Sequence, residues 1–252
     1  MTSRQHLAKT VLVTGAAQGI GKAIAIRVLK EGFDVIALDI NEVRLAEFKS
    51  EASGGKYGAN SLTTYSIDVT QTAQIEKFFE WISGEEIRPY GLVNNAGIFP
   101  GVPFLEYSPA EINSVISVNL LGPIYMTQHF GRMLMPEKLT GTIVNIASIA
   151  GQIGSSDAIY GISKSGLIGL TKTSAMALAP NIRVNAVAPA LVQTELIKNV
   201  SEERHEVFRR GELIKTPLQP TDIADSVWFL LSDQSKHITG TVLDINNGFN
   251  LR

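Results

Sequence analysis

Short runs of apolar and β-branched residues recur along the chain, and between them apolar positions return at helical spacing. Residues 9–14, 34–39, 62–67, 90–97, 141–147, 181–187 and 241–245 read as strands. The first is apolar on successive positions, as expected for a parallel strand buried on both faces. Residues 22–29 show a helix pattern ending at Gly32, a good C-cap. Further helices are predicted over 42–52, from near Thr70, after Ser108, around Tyr160 to about Leu178, and from Thr221 to about Leu231. Ser108 caps its helix ahead of Pro109 at the first helical position, and this long helix carries Asn119 in its interior. Strands alternating with helices predict an α/β fold. The expectation is a single domain over 1–252, a doubly wound parallel sheet of about seven strands with helices on both faces. No repeat or linker interrupts the chain. Residues 191–217 are the least regular and most charged, and are read as a helical flap over a cleft. Their charges, among them Glu202, Glu203, Arg204, His205, Arg209 and Arg210, are otherwise a solvated outer face.

Several chemistry-bearing residues fall just after strands, where open α/β sheets bind ligands. Gly15, Gln18, Gly19, Ile20 and Gly21 form a turn between the first strand and the first helix. Backbone N–H groups and a helix N-terminus there suit an anion, and glycines let the backbone approach it. The glycines are spaced one, five and seven, unlike the common dinucleotide fingerprint. Asp39 ends the second strand twenty residues after Gly19, where a dinucleotide fold puts the acid that accepts from the adenosine ribose. The same charge repels a 2′-phosphate, so NAD is favoured and NADP disfavoured. Asp68 ends the third strand; it either binds the adenine amino group or caps the next helix, and the two roles can coexist. Asn94 and Asn95 can tie strand ends together, and Ala96-Gly97 leaves room for a flat ligand. Asn119 is a poor helix former, so it is either a tolerated surface residue or a functional one facing the cleft. Ser148 and Pro189 follow the fifth and sixth strands.

Tyr160 and Lys164 are four apart, one turn on the same helix face. A free phenol titrates near 10, and a nearby ammonium lowers that value. The pair suits a general acid/base for the proton of an alcohol, with Ser148 offering a hydroxyl to the same oxygen. By itself, a tyrosine four residues before a lysine also arises by chance. Gly161, Ser165 and Gly169 repeat along the same helix and suit close contact with the sheet or with a second subunit.

Composition narrows the classes. Hydrophobic content of 44%, charged content of 18% and a net charge of −2 describe an ordinary globular chain. That balance argues against nucleic acid as the main partner. The absence of cysteine excludes disulfides and thiolate metal sites and fits a cytoplasmic location. His6, His129, His205 and His237 have no ligand spacing, so no metal is expected. The run 10–13 is too short for a signal-peptide core, and no apolar run approaches a membrane span.

With Thr14, Gly15, Gly19, Ile20 and Gly21, then Asn94-Asn95-Ala96-Gly97, Asn119, Ser148, Tyr160 and Lys164, the chain resembles the short-chain dehydrogenase/reductase family over nearly its whole length. The resemblance implies a Rossmann-type fold and a nicotinamide cofactor. It implies that Tyr160 is the acid/base, that Ser148 polarises the substrate oxygen, and that Lys164 lowers the tyrosine pKa and holds the nicotinamide ribose. Asn119 would hold a water in a proton relay. Asp39, Asp68 and Val69 are the implied adenosine contacts, Asn95 and Gly97 those along the cofactor's middle, and Val192 and Thr194 those to the carboxamide. A homotetramer, or a dimer, is implied through the helices carrying Asn119 and Tyr160. Two departures stand out: Pro189-Ala190 replaces the usual Pro-Gly, and Asn246-Asn247-Gly248 replaces Asp-Gly-Gly.

These readings lead to an NAD-dependent oxidoreductase acting on a secondary alcohol or the matching ketone. The alternatives are a 3-oxoacyl-thioester reductase of the same family, with a basic docking patch from Arg204, Arg209 and Arg210, and a non-catalytic NAD(H)-binding regulatory protein. The expected substrate lining is 98–106, 152–157 and 191–213, with no fixed cation arranged for a carboxylate.

Overall fold

The computed structural model describes residues 9–251 except Ala59, Leu196, Lys198, Asn199 and Ser201. His6 and the N-terminal segment before residue 9 lie outside the described residues. Seven strands form one parallel sheet: β1 (Thr10–Thr14), β2 (Asp34–Asp39), β3 (Leu62–Ser66), β4 (Gly91–Asn94), β5 (Gly141–Ile146), β6 (Ile182–Pro189) and β7 (Val242–Ile245). Their order is β3-β2-β1-β4-β5-β6-β7. The winding reverses between β1 and β4, and the carboxyl ends of those strands open a crevice there. This is the Rossmann-type α/β architecture, as expected.

Alternation along the strands feeds two cores. Val11, Val13, Val35, Ala37, Val93 and Val144 face one side. There they meet α1 (Gly19–Lys30), α2 (Glu42–Ala52) and α9 (Pro220–Leu231) through Ile24, Val28, Phe48, Ile223 and Val227. Leu12, Ile36, Leu38, Leu92 and Ile143 face the other side. Their partners are α3 (Thr72–Gly84), α5 (Gly122–Leu134) and α7 (Ala158–Leu178), through Ile75, Phe78, Met126, Phe130 and Ala175. Two-faced burial of the strands is what their continuous apolar runs required. No described helix is long and apolar enough to cross a membrane.

The long helix expected after Ser108 is interrupted. The structure has α4 (Pro109–Ile116), a π-helical turn Ser117–Leu121, and then α5. Such a turn shifts the side-chain phase within a helix. Here it brings Asn119 to full burial, so the surface alternative for this residue falls. The side chain accepts from the Ile98 N–H at 2.8 Å and donates to the Ile98 carbonyl at 3.0 Å and to Ser163 at 3.2 Å. Asn119 thus fastens the strand-end loop after β4 to α7.

The stripe on α7 does not meet the sheet. Gly161 faces α6 (Ala150–Ile153) and the loop after it, where an added Cβ would lie 3.2 Å from the Ala150 carbonyl and 3.1 Å from Ser155. Ser165 donates to the Gly151 carbonyl at 2.8 Å, and Gly169 has nothing within 4 Å of where its Cβ would be. The sheet side of α7 is held instead by a buried polar chain. Asn94 donates to Asn145 at 2.8 Å and to Thr127 at 3.2 Å, and Asn145 donates to Thr171 at 2.9 Å.

Both departures from the family pattern have local explanations. Among the described non-glycine residues, positive φ occurs at Glu86, Lys138 and Asn247, so Ala190 occupies backbone that any residue adopts. Asn247 has φ 52°, a left-handed conformation that asparagine tolerates better than most residues. It donates to the Thr216 carbonyl at 2.9 Å, and its own carbonyl accepts from Leu213 and Ile214. The asparagine turn therefore anchors the end of the 191–217 segment.

Candidate active site

Strand ends and the 191–217 segment enclose a cleft of about 460 Å³. Its lining includes Gly15, Gln18, Gly19, Ile20, Asp39, Asp68, Val69, Asn95, Gly97, Ser148, Tyr160, Lys164, Pro189, Val192 and Thr194. Two sequence candidates stand just behind the wall: Gly21 under the turn and Asn119 under Gly97. An added Cβ on Gly97 would lie 3.4 Å from the Asn119 oxygen and 3.6 Å from the Lys164 nitrogen.

At one end, Gly15 and Gly19 take φ 62° and 56°, which suits glycine. An added Cβ at Gly21 would fall 2.1 Å from the Gly15 carbonyl oxygen. Asn95 donates its side-chain amide to the Thr14 and Gly15 carbonyls, both at 2.9 Å, so β4 braces the turn. Gln18 is the N-cap of α1, and its side chain makes no capping bond. The first turn of α1 also holds no acid, and Gly19 and Ile20 line the cleft, so the positive end of the helix dipole lies at its wall. These features fit a dinucleotide pyrophosphate.

Asp39 accepts from Ala17 N–H and Asn41 N–H, each at 3.0 Å. This couples the acid to the same turn. Asp68 accepts from the Thr70 N–H at 2.9 Å and hydroxyl at 2.8 Å. It orders the approach to α3, whose N-cap is Gln71, while also lining the cleft. The cations among the described lining residues are Lys164 and Arg204. A 2′-phosphate beside Asp39 would meet the charge of that carboxylate.

The other end holds the proton chemistry. Tyr160 and Lys164 share α7, with the Lys164 nitrogen 5.6 Å from the phenol ring centroid. Lys164 is buried and donates to the Ile146 carbonyl at 2.7 Å. Burial holds its pKa down to about 8. The phenol of Tyr160 is raised above its ordinary value, mainly by burial, with the Asp157 charge adding to this. Hydrogen bonding by Ser148 and the charge of Arg204 oppose it. The tyrosine–lysine spacing predicts a lowered phenol; in the fold, desolvation outweighs the opposing Ser148 bond and Arg204 charge.

The lysine gives a testable pH dependence. Its folded pKa near 8 lies below its ordinary value of 10.5. From pH 8 to 10, the unfolded chain holds a proton that the folded chain has lost, so stability rises with pH. The wild type should gain about 2 kcal/mol over Lys164→Met across that window, read by urea unfolding at each pH. A constant difference between the two proteins would show that Lys164 is not desolvated.

Phe99, Asp157, Arg204 and Phe208 fall within the stretches expected to line the substrate pocket, but the sequence singled out none of them for a role at the reacting end. Arg204 lies on α8 (Glu202–Gly211), and its terminal nitrogens donate to Ser156 at 2.6 Å and Ser155 at 2.9 Å. Its guanidinium carbon is 6.0 Å from the ring centroids of both Phe99 and Phe208. Phe99 meets Tyr160 edge-on at 5.0 Å. The cleft therefore has a guanidinium in its lining, tied to the loop after α6. Arg204 and Phe208 are four apart, so helical phase could have found them together. The basic docking patch does not form: Arg209 pairs with Glu202 and Glu206, and Arg210 with Glu206, on exposed sides of α8. Asp157 caps α7 by accepting from Tyr160 N–H at 3.0 Å, and also accepts from Gly101 N–H and the Tyr107 hydroxyl. Of the expected linings, Ile98 and Phe99 contribute from the first stretch and none from 152–157, whose place is taken by Ile149 and Ala150. Phe104, Leu105 and Glu106 are exposed.

Comparison with known proteins supplies the remaining finding. A family model described as enoyl-(acyl carrier protein) reductase, of the short-chain dehydrogenase type, matches residues 15–250. The 3-oxoacyl-[acyl-carrier-protein] reductase FabG of Thermotoga maritima is 37% identical, covering 95% of this chain and 97% of that protein. A diacetyl reductase ((S)-acetoin forming) of Staphylococcus epidermidis is 31% identical, covering 96% and 98%. The solved structure of a 4-hydroxyisoleucine dehydrogenase complexed with NADH superposes with TM-score 0.87 at 33% identity, covering 96% and 98%.

Proposed function

The chain belongs to the short-chain dehydrogenase/reductase family and is an oxidoreductase of the carbonyl/alcohol type; from that premise we propose an NAD-dependent dehydrogenase of a secondary alcohol, with Tyr160 as its general acid/base. The observation that carries the cofactor preference is Asp39, bonded to the phosphate turn at the adenosine end of the cleft. When bound, the nicotinamide accepts or returns a hydride at the substrate carbon. The protein's own residues do the rest. Gly15, Gln18, Gly19 and Ile20 cradle the pyrophosphate, and Asp39 accepts from the ribose hydroxyls. Asp68 and Val69 flank the adenine, Asn95 and Gly97 line the middle, and Pro189, Val192 and Thr194 line the carboxamide end. Tyr160 takes the proton of the alcohol, Ser148 donates to the substrate oxygen, and Lys164 holds the nicotinamide ribose. Asn119, locked to Ile98 and Ser163, keeps the loop and α7 in register for a water-borne proton path.

The 3-oxoacyl-thioester reading is favoured by the names of several relatives, but it called for a basic patch that Arg204, Arg209 and Arg210 do not share. The regulatory-protein reading leaves the joint presence of Ser148, Tyr160 and Lys164 in one cleft without a purpose. The family reading also carries a homo-oligomer and a cytoplasmic location. The outer face of α7, where Ile162 and Met176 are exposed, is the surface offered to a second copy; light scattering reads that assembly directly.

The test is NADH formation over a panel of secondary alcohols, with NADP run in parallel. NAD should be preferred, and Asp39→Ala should shift the NADP-to-NAD ratio of kcat/KM upward by roughly 10- to 100-fold. An unchanged ratio would refute the role given to Asp39. Silence of every alcohol with either cofactor would refute the reaction.

A further inference from the structure

We propose that Asp157 is a positioning residue for the reaction: it clips the 98–107 loop to the amino end of α7 and so holds the Phe99 ring against the general acid/base Tyr160. The inference rests on the dehydrogenase reading above, in which Tyr160 moves the proton.

The Asp157 carboxylate is buried, and its two oxygens serve three donors from separate parts of the fold. One oxygen accepts from the Tyr160 N–H at 3.0 Å and from the Tyr107 hydroxyl. The other accepts from the Gly101 N–H at 2.9 Å. A helix cap needs the first of these bonds alone, and serine makes that bond as well. The two bonds to the loop are what a carboxylate adds, through its second oxygen and its spare lone pairs. Burial, and next the bond to Asp157, hold the Tyr107 phenol above its ordinary value, so it remains a donor well into alkaline pH.

Phe99 lies between two ties. On its amino side, Ile98 exchanges bonds with Asn119, which donates to Ser163 at 3.2 Å. On its carboxyl side, Gly101 and Tyr107 are held by Asp157. Both ties end on the backbone of one residue: Ser163 donates to the Tyr160 carbonyl at 2.7 Å, and Asp157 accepts from the Tyr160 N–H. The buried Phe99 ring meets the phenol ring edge-on at 5.0 Å and lines the cleft beside it. Farther along, Phe104 and Leu105 are exposed, so the core gives the tip of the loop little hold. The polar ties fix where Phe99 sits.

A ring fixed there keeps water from the phenol. The phenol also faces Lys164 on its own helix, Ser148 after β5, Arg204 on α8 and Asp157 itself, and Glu195 lines the same cleft. Burial is the largest cause of its raised pKa, and the Asp157 charge adds to it. Freeing the loop admits water and lowers that pKa, so the limb of alcohol oxidation that rises with pH moves to lower pH. Tyr107→Phe separates loop from charge, because it frees one tie and leaves the carboxylate in place.

The experiment measures kcat/KM against pH with NAD and the alcohol turned over fastest, beside NADH titration. The proteins are the wild type, Asp157→Ser, Tyr107→Phe, Phe99→Leu, and the first two changes each combined with Phe99→Leu. Asp157→Ser keeps a hydroxyl to cap α7; it should lower kcat/KM roughly 10- to 100-fold and leave the NADH Kd within about twofold. Tyr107→Phe should cost roughly 3- to 10-fold and shift the rising limb to lower pH. In the Phe99→Leu background each change should cost less than about twofold, since the ring they position is gone. If Asp157→Ser fails to bind NADH, the Tyr107→Phe pair decides. Full activity in Asp157→Ser, losses that multiply in the double variants, or a limb unmoved in Tyr107→Phe overturns the positioning role and leaves the dehydrogenase standing. No turnover of any alcohol by the wild type overturns the dehydrogenase and this role with it.

Discussion

Tyr160→Phe is expected to lower turnover by roughly 10²- to 10⁴-fold, the usual range for removing a general acid/base, while NADH still binds. The substitution deletes one oxygen and keeps the ring. The edge-on contact with Phe99 at 5.0 Å survives, and so does the bond from Lys164 to the Ile146 carbonyl. The Asp157 cap on α7 uses the backbone of residue 160, not its side chain. Nothing in the cofactor end of the cleft depends on the phenol. Stopped-flow measurement of NADH formation gives the rate, and NADH fluorescence titration gives the binding. Loss of both would mean that the ring oxygen holds the site together. Full activity would mean that another group moves the proton.

Gly21→Ala should have the second large effect: about 3 kcal/mol of lost stability, together with loss of NADH binding. The new methyl would lie 2.1 Å from the Gly15 oxygen and 2.5 Å from the Asn95 amide nitrogen. Both are fixed, because Asn95 is bonded to the Thr14 and Gly15 carbonyls and Gly15 sits at positive φ. The turn cannot move without releasing β4 from β1. Gly19→Ala is the control. It pays only for its left-handed backbone, about 1–2 kcal/mol, since its methyl would sit 3.5 Å from Thr194 in ordinary contact. Chemical denaturation and NADH titration of both variants test the contrast. Equal losses would show that backbone strain, not the clash at Gly21, sets the cost.

Much of the site was legible because it lies where strands end. Gly15, Asp39, Asp68, Asn95, Ser148 and Pro189 each follow an apolar run, and parallel strands bring their carboxyl ends to one edge. Asn119 was half legible. Its poor helix propensity marked it as unusual, but the π-helical turn that buries it depends on the Ile98 backbone and on Ser163, both distant in sequence. The glycine stripe on α7 was visible as a pattern, yet its partner was the short α6 rather than the sheet. Arg204 was misread because charge on an amphipathic helix is ordinarily solvent-facing. Only the position of α8 over the cleft turns one of its charged residues inward.

Local chemistry and periodicity determined where the strands lie along the chain, the glycine turn after β1, the acid at the end of β2 and the tyrosine–lysine pair. These follow from backbone sterics and side-chain period, which act over a few residues. Tertiary structure decided what those groups feel. Burial raises the Tyr160 phenol and lowers Lys164, because a low-dielectric surround penalises charge whatever the spacing between the two. It also decided which arginine of α8 lines the cleft, because that depends on packing against Phe99, Ser155 and Ser156, about fifty to a hundred residues away in the chain.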